Sequence, residues 1–109
     1  PRGRLLAVFD ALGEWFAEPE YRSCMFIKAS SEYQDRAHPI HSAAAEHKRL
    51  LLGYFEKLAR EAGAKEPEEL SRRILLIKEG AIVMAHLGDR EAVAKSARGA
   101  AEDILAAAL

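Results

Sequence analysis

The stretch that most limits how this chain can fold is Leu70–Leu87, LSRRILLIKEGAIVMAHL. Its apolar residues at 70, 74, 77, 81, 84 and 85 obey the i, i+3, i+4, i+7 spacing of one helical face. Leu75, Leu76, Ile82 and Val83 put further apolar groups on other faces of the same helix. A helix with one apolar stripe needs one partner, whereas a helix apolar nearly all round must be covered from several sides. A chain of 109 residues makes one domain with a small core. One of those sides is therefore expected to be covered by a second copy of the chain. Gly80 points the same way: a mid-helix glycine costs ~1 kcal/mol relative to alanine, and close approach of another helix is its simplest justification.

The flanking segments read as helices that can pack around this one. From about Arg4 to Ala17, Leu5, Phe9, Leu12 and Phe16 form a stripe widened by Val8 and Trp15, and Pro19 ends it. Tyr21–Ile27 is apolar without a clear period and, with no second strand to pair with, is expected to be a short helix. Ser30–Pro39 is a polar connection. A long helix follows from about His38 to Ala62. Ala44, Leu51, Phe55, Leu58 and Ala62 are on its inner face, and Glu46, Lys48, Arg49, Glu56, Lys57 and Arg60 on the solvated side. Gly63 suits the left-handed position just past a helix end. Glu66-Pro67-Glu68-Glu69 opens the central helix, since proline in the first turn loses no hydrogen bond and acidic groups suit the positive end of the dipole. Asp89 is a good N-cap for a final helix to Leu109 with Val93, Ala97, Ala100, Ala101, Ile104 and Ala108 at its packing positions. These small side chains let it pair closely and antiparallel with Leu70–Leu87. The fold class is all-α, with about five helices.

Sixteen Lys and Arg stand against seventeen Asp and Glu, so no electrostatic footprint for nucleic acid or an anionic membrane is expected of this part of the protein. No run approaches the ~18 apolar residues of a membrane span. The single cysteine, Cys24, excludes an internal disulfide and a cysteine-based zinc site, which suits a cytoplasmic setting. A start at Pro1 without methionine fits a fragment of something longer.

Support for catalysis is lacking. His38, His41 and His47, with Glu32, Asp35 and Glu46, lack the paired histidines and glutamate of a metalloprotease helix, and solvated or capping histidines are the simpler reading. Cys24 stands among Met25, Phe26 and Ile27, an apolar setting that raises a thiol pKa and makes it inert. No cofactor is expected. The aromatic and methionine side chains are mostly core. Yet their excess around the central helix also suits an apolar cavity with a few polar groups, for which Tyr54, His47, His86 and Glu79 are available. Lys78 and Glu79 interrupt the apolar helix, where an unpaired charge would be costly, so each is expected to snorkel to solvent or to pair with a partner subunit.

Cys24–Tyr33 (CMFIKASSEY), followed by His38-Pro39-Ile40 and a long helix, resembles the C-terminal domain of TetR-family transcriptional regulators. So do Leu75–Ala85 (LLIKEGAIVMA), Gly88-Asp89 and the alanine-rich last helix. The resemblance covers nearly the whole chain; Ser23, where many relatives have glycine, departs from it only at a local turn. It implies an effector-binding and dimerisation domain of a homodimer, whose last two helices form an intersubunit four-helix bundle. It also implies an N-terminal helix-turn-helix domain, outside these residues, that alone binds operator DNA, in a repressor released by a small apolar or aromatic effector. On this resemblance Phe9, Phe16, Phe26, Tyr54 and Met84 would wall the effector site, with His47 or Glu79 as polar fixing groups. Ile74, Ile77, Gly80, Ala81, Ala85, Val93, Ala97, Ala100 and Ile104 would form the dimer interface. The alternative is a helical dimer module with a filled core and no ligand.

Overall fold

The computed structural model describes residues 2–18 and 39–109. They form four helices: α1 (Arg2–Phe16), α2 (Pro39–Glu61), α3 (Pro67–Leu87) and α4 (Arg90–Ala108). No strand occurs among the described residues. The segments expected to be a short helix (Tyr21–Ile27) and a polar connection (Ser30–Pro39) lie outside them, save Pro39, which opens α2.

Three of the helix ends have a local cause. After α2, Gly63 adopts a φ of +88°, its N–H donates to the Arg60 carbonyl, and the Ala64 N–H reaches back to the Ala59 carbonyl, both at 3.0 Å. This pair of bonds is a Schellman motif: it satisfies carbonyls that the helix end would leave open, and it needs a residue tolerant of the left-handed region. Pro67 occupies the first turn of α3 beside Glu68 and Glu69. One turn on, the buried Ser71 hydroxyl donates to the Glu68 carbonyl at 2.8 Å, so a polar group enters the core already satisfied. Asp89 caps α4 as its sequence position predicts, its carboxylate accepting from the Ala92 N–H at 3.1 Å.

The core forms where these helices meet. α3 packs between α2 and α4, and α1 lies against α4 while also reaching α2 and α3. Leu5, Phe9, Leu12 and Phe16 of α1 are all buried, the stripe read from their spacing. Phe55, Leu58 and Ala59 come from α2, Leu70, Ile74, Ala81, Ile82 and Ala85 from α3, and Ala97, Ala101 and Leu105 from α4. Burying each large apolar side chain contributes roughly 1.5–3 kcal/mol, which makes this cluster the main source of stability. On α4 Ala97 and Ala101, both expected at packing positions, point inward together with Leu105, while Val93, Ala100 and Ile104 sit half-buried on the flank. At the surface Arg98 ties the two outer helices together. It donates to Asp10 of α1 at 2.7 Å and also pairs with Glu102.

Candidate functional site

α3 carries more apolar surface than its own subunit covers. Leu76 is 72% exposed, Met84 61%, Leu87 78% and Val83 37%. With Gly80 these residues fall at i, i+4, i+7, i+8 and i+11, a continuous stripe along the outer side of the helix. Beside it runs an open groove of about 730 Å³, with Leu76, Ile77, Gly80, Ala81, Met84 and Leu87 on one wall and Ala92, Val93, Ser96 and Ala97 on the other. Large side chains on α3 thus face small ones on α4, a relief into which ridges of another helix can settle. Among the described residues nothing outside the helix's own backbone lies within 4 Å of where a Cβ on Gly80 would sit. None of the other described helices makes the close approach expected at Gly80.

This relief sorts the residues expected at a subunit contact. Ile77, Gly80, Ala81, Val93 and Ala97 line the groove. Ile74 and Ala85 do not: at 0% and 2% exposure their own subunit encloses them, and they present no surface to a second copy. Both lie on the inward side of α3, where the apolar pattern, continuous round the helix, gave no sign of the direction. Ala100 is half-buried outside the groove. Ile104 lines a separate depression with Leu70, Arg73 and Ala108. Leu76 and Leu87, absent from the expected contact set, are the most exposed members of the stripe.

The residues expected around an effector are less closely grouped. Phe9 and Phe16 are 2% and 1% exposed and fill the core. Phe26 lies outside the described residues. Tyr54 is 49% exposed, its ring centroid 5.9 Å from that of Phe55. It shares a flank of α2 with His47, which is partly buried, and with Leu50, which is 66% exposed. Met84 turns away from all of these into the outer groove.

Glu79 faces α2. Its Oε1 accepts from Lys48 Nζ at 2.5 Å and from Lys78 Nζ at 3.2 Å, while its Oε2 is buried without a hydrogen-bond partner among the described residues. All three side chains are only 15–21% exposed. Lys48, which its position on the polar side of α2 had marked as solvated, instead crosses to α3. A short-range pattern cannot reveal that pairing because its partner is 31 residues away. Among the described residues no three His, Cys, Asp or Glu side chains gather into a metal-holding group. Cys24 and His38 lie outside those residues. No helix among them is long and apolar enough to cross a membrane.

The described residues thus form an all-helical domain with a buried apolar core and an outward apolar helix pair. Residues 1–101 match the family described as Tetracyclin repressor-like, C-terminal domain, and the chain belongs to that family. It is 30% identical over 102 residues to the HTH-type transcriptional regulator YjdC of Escherichia coli (strain K12), and equally to that of Shigella flexneri. Those matches take in 94% of this chain and 53% of each relative, so the chain spans about half the length of the curated relatives it matches. The fold superposes on the crystal structure of a TetR-family transcriptional regulator from Streptomyces coelicolor with a TM-score of 0.93 and 27% identity. That likeness covers 98% of this chain and 57% of the other. These relatives are regulators, in keeping with the lack of any catalytic constellation in the sequence.

Proposed function

We propose that this domain joins two copies of a DNA-binding transcriptional regulator and senses a small effector that alters operator binding. The observation that carries the pairing is the exposed apolar stripe of Leu76, Val83, Met84 and Leu87 beside the small residues of α4. A monomeric soluble protein rarely leaves a contiguous apolar patch of this kind open to water, and a second copy offers a self-complementary cover. The two α3–α4 pairs would then form a four-helix bundle, with Ile77, Gly80, Ala81, Val93 and Ala97 inside it. DNA contact belongs, on this reading, to a helix-turn-helix part of the protein outside residues 1–109, and the setting is the cytoplasm.

Effector sensing is drawn from the family and from the polar groups that α2 and α3 turn toward each other. A small apolar or aromatic molecule releasing a repressor is the form we favour. It can act only by binding the DNA-competent and DNA-incompetent states with different affinity. Of the walls expected from the sequence, Tyr54, His47 and Glu79 stay in the proposal. Phe9 and Phe16 belong to it only as the core behind the site, since both are closed in by their own subunit.

Sedimentation equilibrium tests the pairing: the 12.0 kDa chain is expected at twice that mass at micromolar concentration, and a monomer there would refute it. Thermal shift with hydrophobic ligands, on wild type and Tyr54→Ala, tests the sensing. No stabilised wild type, or an identical response from the variant, would count against the site. The tight packing of Phe9, Phe16 and Phe55 favours the second reading, a dimer module with a filled core. That reading predicts the dimer without any ligand response.

A further inference from the structure

Beyond the apolar part of the outer α3–α4 face, two opposite charges stand at the same level on the two helices. α3 and α4 are joined by Gly88 and Asp89 alone and pack against each other antiparallel. Arg73 lies three, seven and eleven residues before Leu76, Gly80 and Met84, so it continues the outer stripe toward the start of α3. Asp103 lies seven and eleven residues after Ser96 and Ala92, which puts it on the groove side of α4. Arg73 shares a depression with Ile104, the chain neighbour of Asp103. Yet the two charges do not pair within the subunit. Arg73 donates to Glu69 Oε1 from Nε alone, at 3.2 Å, which leaves its terminal nitrogens to spare. The exposed Asp103 carboxylate has no ion pair or hydrogen bond among the described residues.

We propose that Arg73 of each copy pairs with Asp103 of the other, and that these two ion pairs set the orientation in which the α3–α4 faces meet. The inference rests on the pairing reading above and adds the arrangement and the residues that select it. A two-fold axis relating two faces packed on each other lies in the plane between them. If the axis runs along the helices, α3 of one copy covers α4 of the other and every residue keeps its level. Arg73 then meets Asp103, and the large side chains of Leu76, Val83 and Met84 settle over Ala92, Ser96 and Gly99. If the axis runs across the helices, α3 covers α3 and α4 covers α4, each in reverse direction. A contact centred on Gly80 would then set Arg73 against Leu87 and Leu76 against Met84, and would leave the small side chains of α4 facing one another across a gap. Charge and size both select the first arrangement.

Charge reversal tests this through mixed dimers of the 109-residue chain. In the Arg73→Glu homodimer both contacts oppose two carboxylates, and in the Asp103→Arg homodimer both oppose two guanidinium groups. A dimer with one subunit of each variant has opposite charges at both contacts. Both side chains are exposed, so neither change disturbs the core, and urea unfolding checks that each variant is folded. Each homodimer should pair at least about tenfold more weakly than wild type in sedimentation equilibrium. After equal amounts are mixed, native mass spectrometry should find about nine-tenths of the dimers mixed, against the half that chance gives, and added salt should shrink the excess. The double variant Arg73→Glu with Asp103→Arg restores opposite charges and should recover wild-type pairing. Mixed dimers at the chance level, undiminished homodimers, or a double variant no better than the single ones would each overturn the Arg73–Asp103 contact while leaving the pairing of the chain intact. A wild-type chain that stays monomeric would refute the pairing reading, and this inference with it.

Discussion

Replacing Leu76 by glutamate should separate two copies of the chain without unfolding either. Leu76 is 72% exposed on its own subunit. Covering the rest of such a side chain is worth roughly 1–2 kcal/mol, being about seven-tenths of the 1.5–3 kcal/mol for full burial of a leucine. A symmetric contact contains the residue twice, so the double loss is roughly 2–4 kcal/mol, or about 30- to 700-fold in dissociation constant. Leu50→Glu is the matched control: Leu50 is 66% exposed, also on a helix, but on α2 and away from the α3–α4 groove. Sedimentation equilibrium across a concentration series gives both dissociation constants, and urea unfolding gives both subunit stabilities. The expected result is weakened pairing for Leu76→Glu alone, with both variants folded. Undiminished pairing in Leu76→Glu, or equal weakening in Leu50→Glu, would show that the outer stripe of α3 is not the contact.

Three further outcomes test the packing and the surface charge. Ala85→Glu should fail at the level of the subunit, because a side chain 2% exposed has no route to water and an unpaired buried charge costs about 3–5 kcal/mol. Circular dichroism on a refolded sample checks this, and a folded monomer would place Ala85 on the interface instead. Gly63→Ala should lower stability by roughly 1–2 kcal/mol in denaturant titration. A Cβ there would meet nothing within 4 Å among the described residues, so the expected loss is the backbone penalty at φ +88°. Glu69 supplies a pH signature: hydrogen bonds from Arg72 first, then Arg73, hold its carboxyl below the ordinary glutamate value. A depressed folded pKa stabilises above the unfolded value of ~4.3 and ceases to do so as pH falls through the folded one. The deficit of Glu69→Gln relative to wild type should accordingly be present at neutral pH and vanish in stronger acid; a deficit independent of pH would refute the linkage.

Most of the fold could be read from the chain because its signals are local. The α1 stripe repeats at helical spacing within 12 residues, from Leu5 to Phe16. Gly63 and Asp89 mark helix ends through backbone and capping chemistry that involves only their near neighbours. The site was less legible because it depends on direction and on distant partners. α3 is apolar on so many sides that its sequence announces an excess without telling inner from outer face. Ile74 and Ala85 were therefore expected outside and lie inside, while Met84 was expected on a cavity wall and lies on the outer groove. Lys48 looked solvated because its neighbours Glu46 and Arg49 are, and only the fold brings it to Glu79.

The same helix carries both halves of the proposed function, and that arrangement limits how a signal can pass. Glu79 turns toward α2, while Leu76, Gly80 and Met84 turn outward, less than two turns from it on a continuous helix. An effector that reorganises the Lys48–Glu79 contact therefore acts on the element that would meet the second copy, and no longer chain of residues is needed between the two. Binding free energies coupled in this way are reciprocal: whatever factor the effector imposes on pairing, pairing imposes on the effector. A hydrophobic ligand that stabilises the wild type in thermal shift should consequently bind wild-type dimer and Leu76→Glu monomer with different affinities, and at saturation it should shift the wild-type dimer dissociation constant by the square of that ratio, because each dimer carries two sites. Equal affinities for dimer and monomer would mean that α3 holds the two sites side by side without linking them.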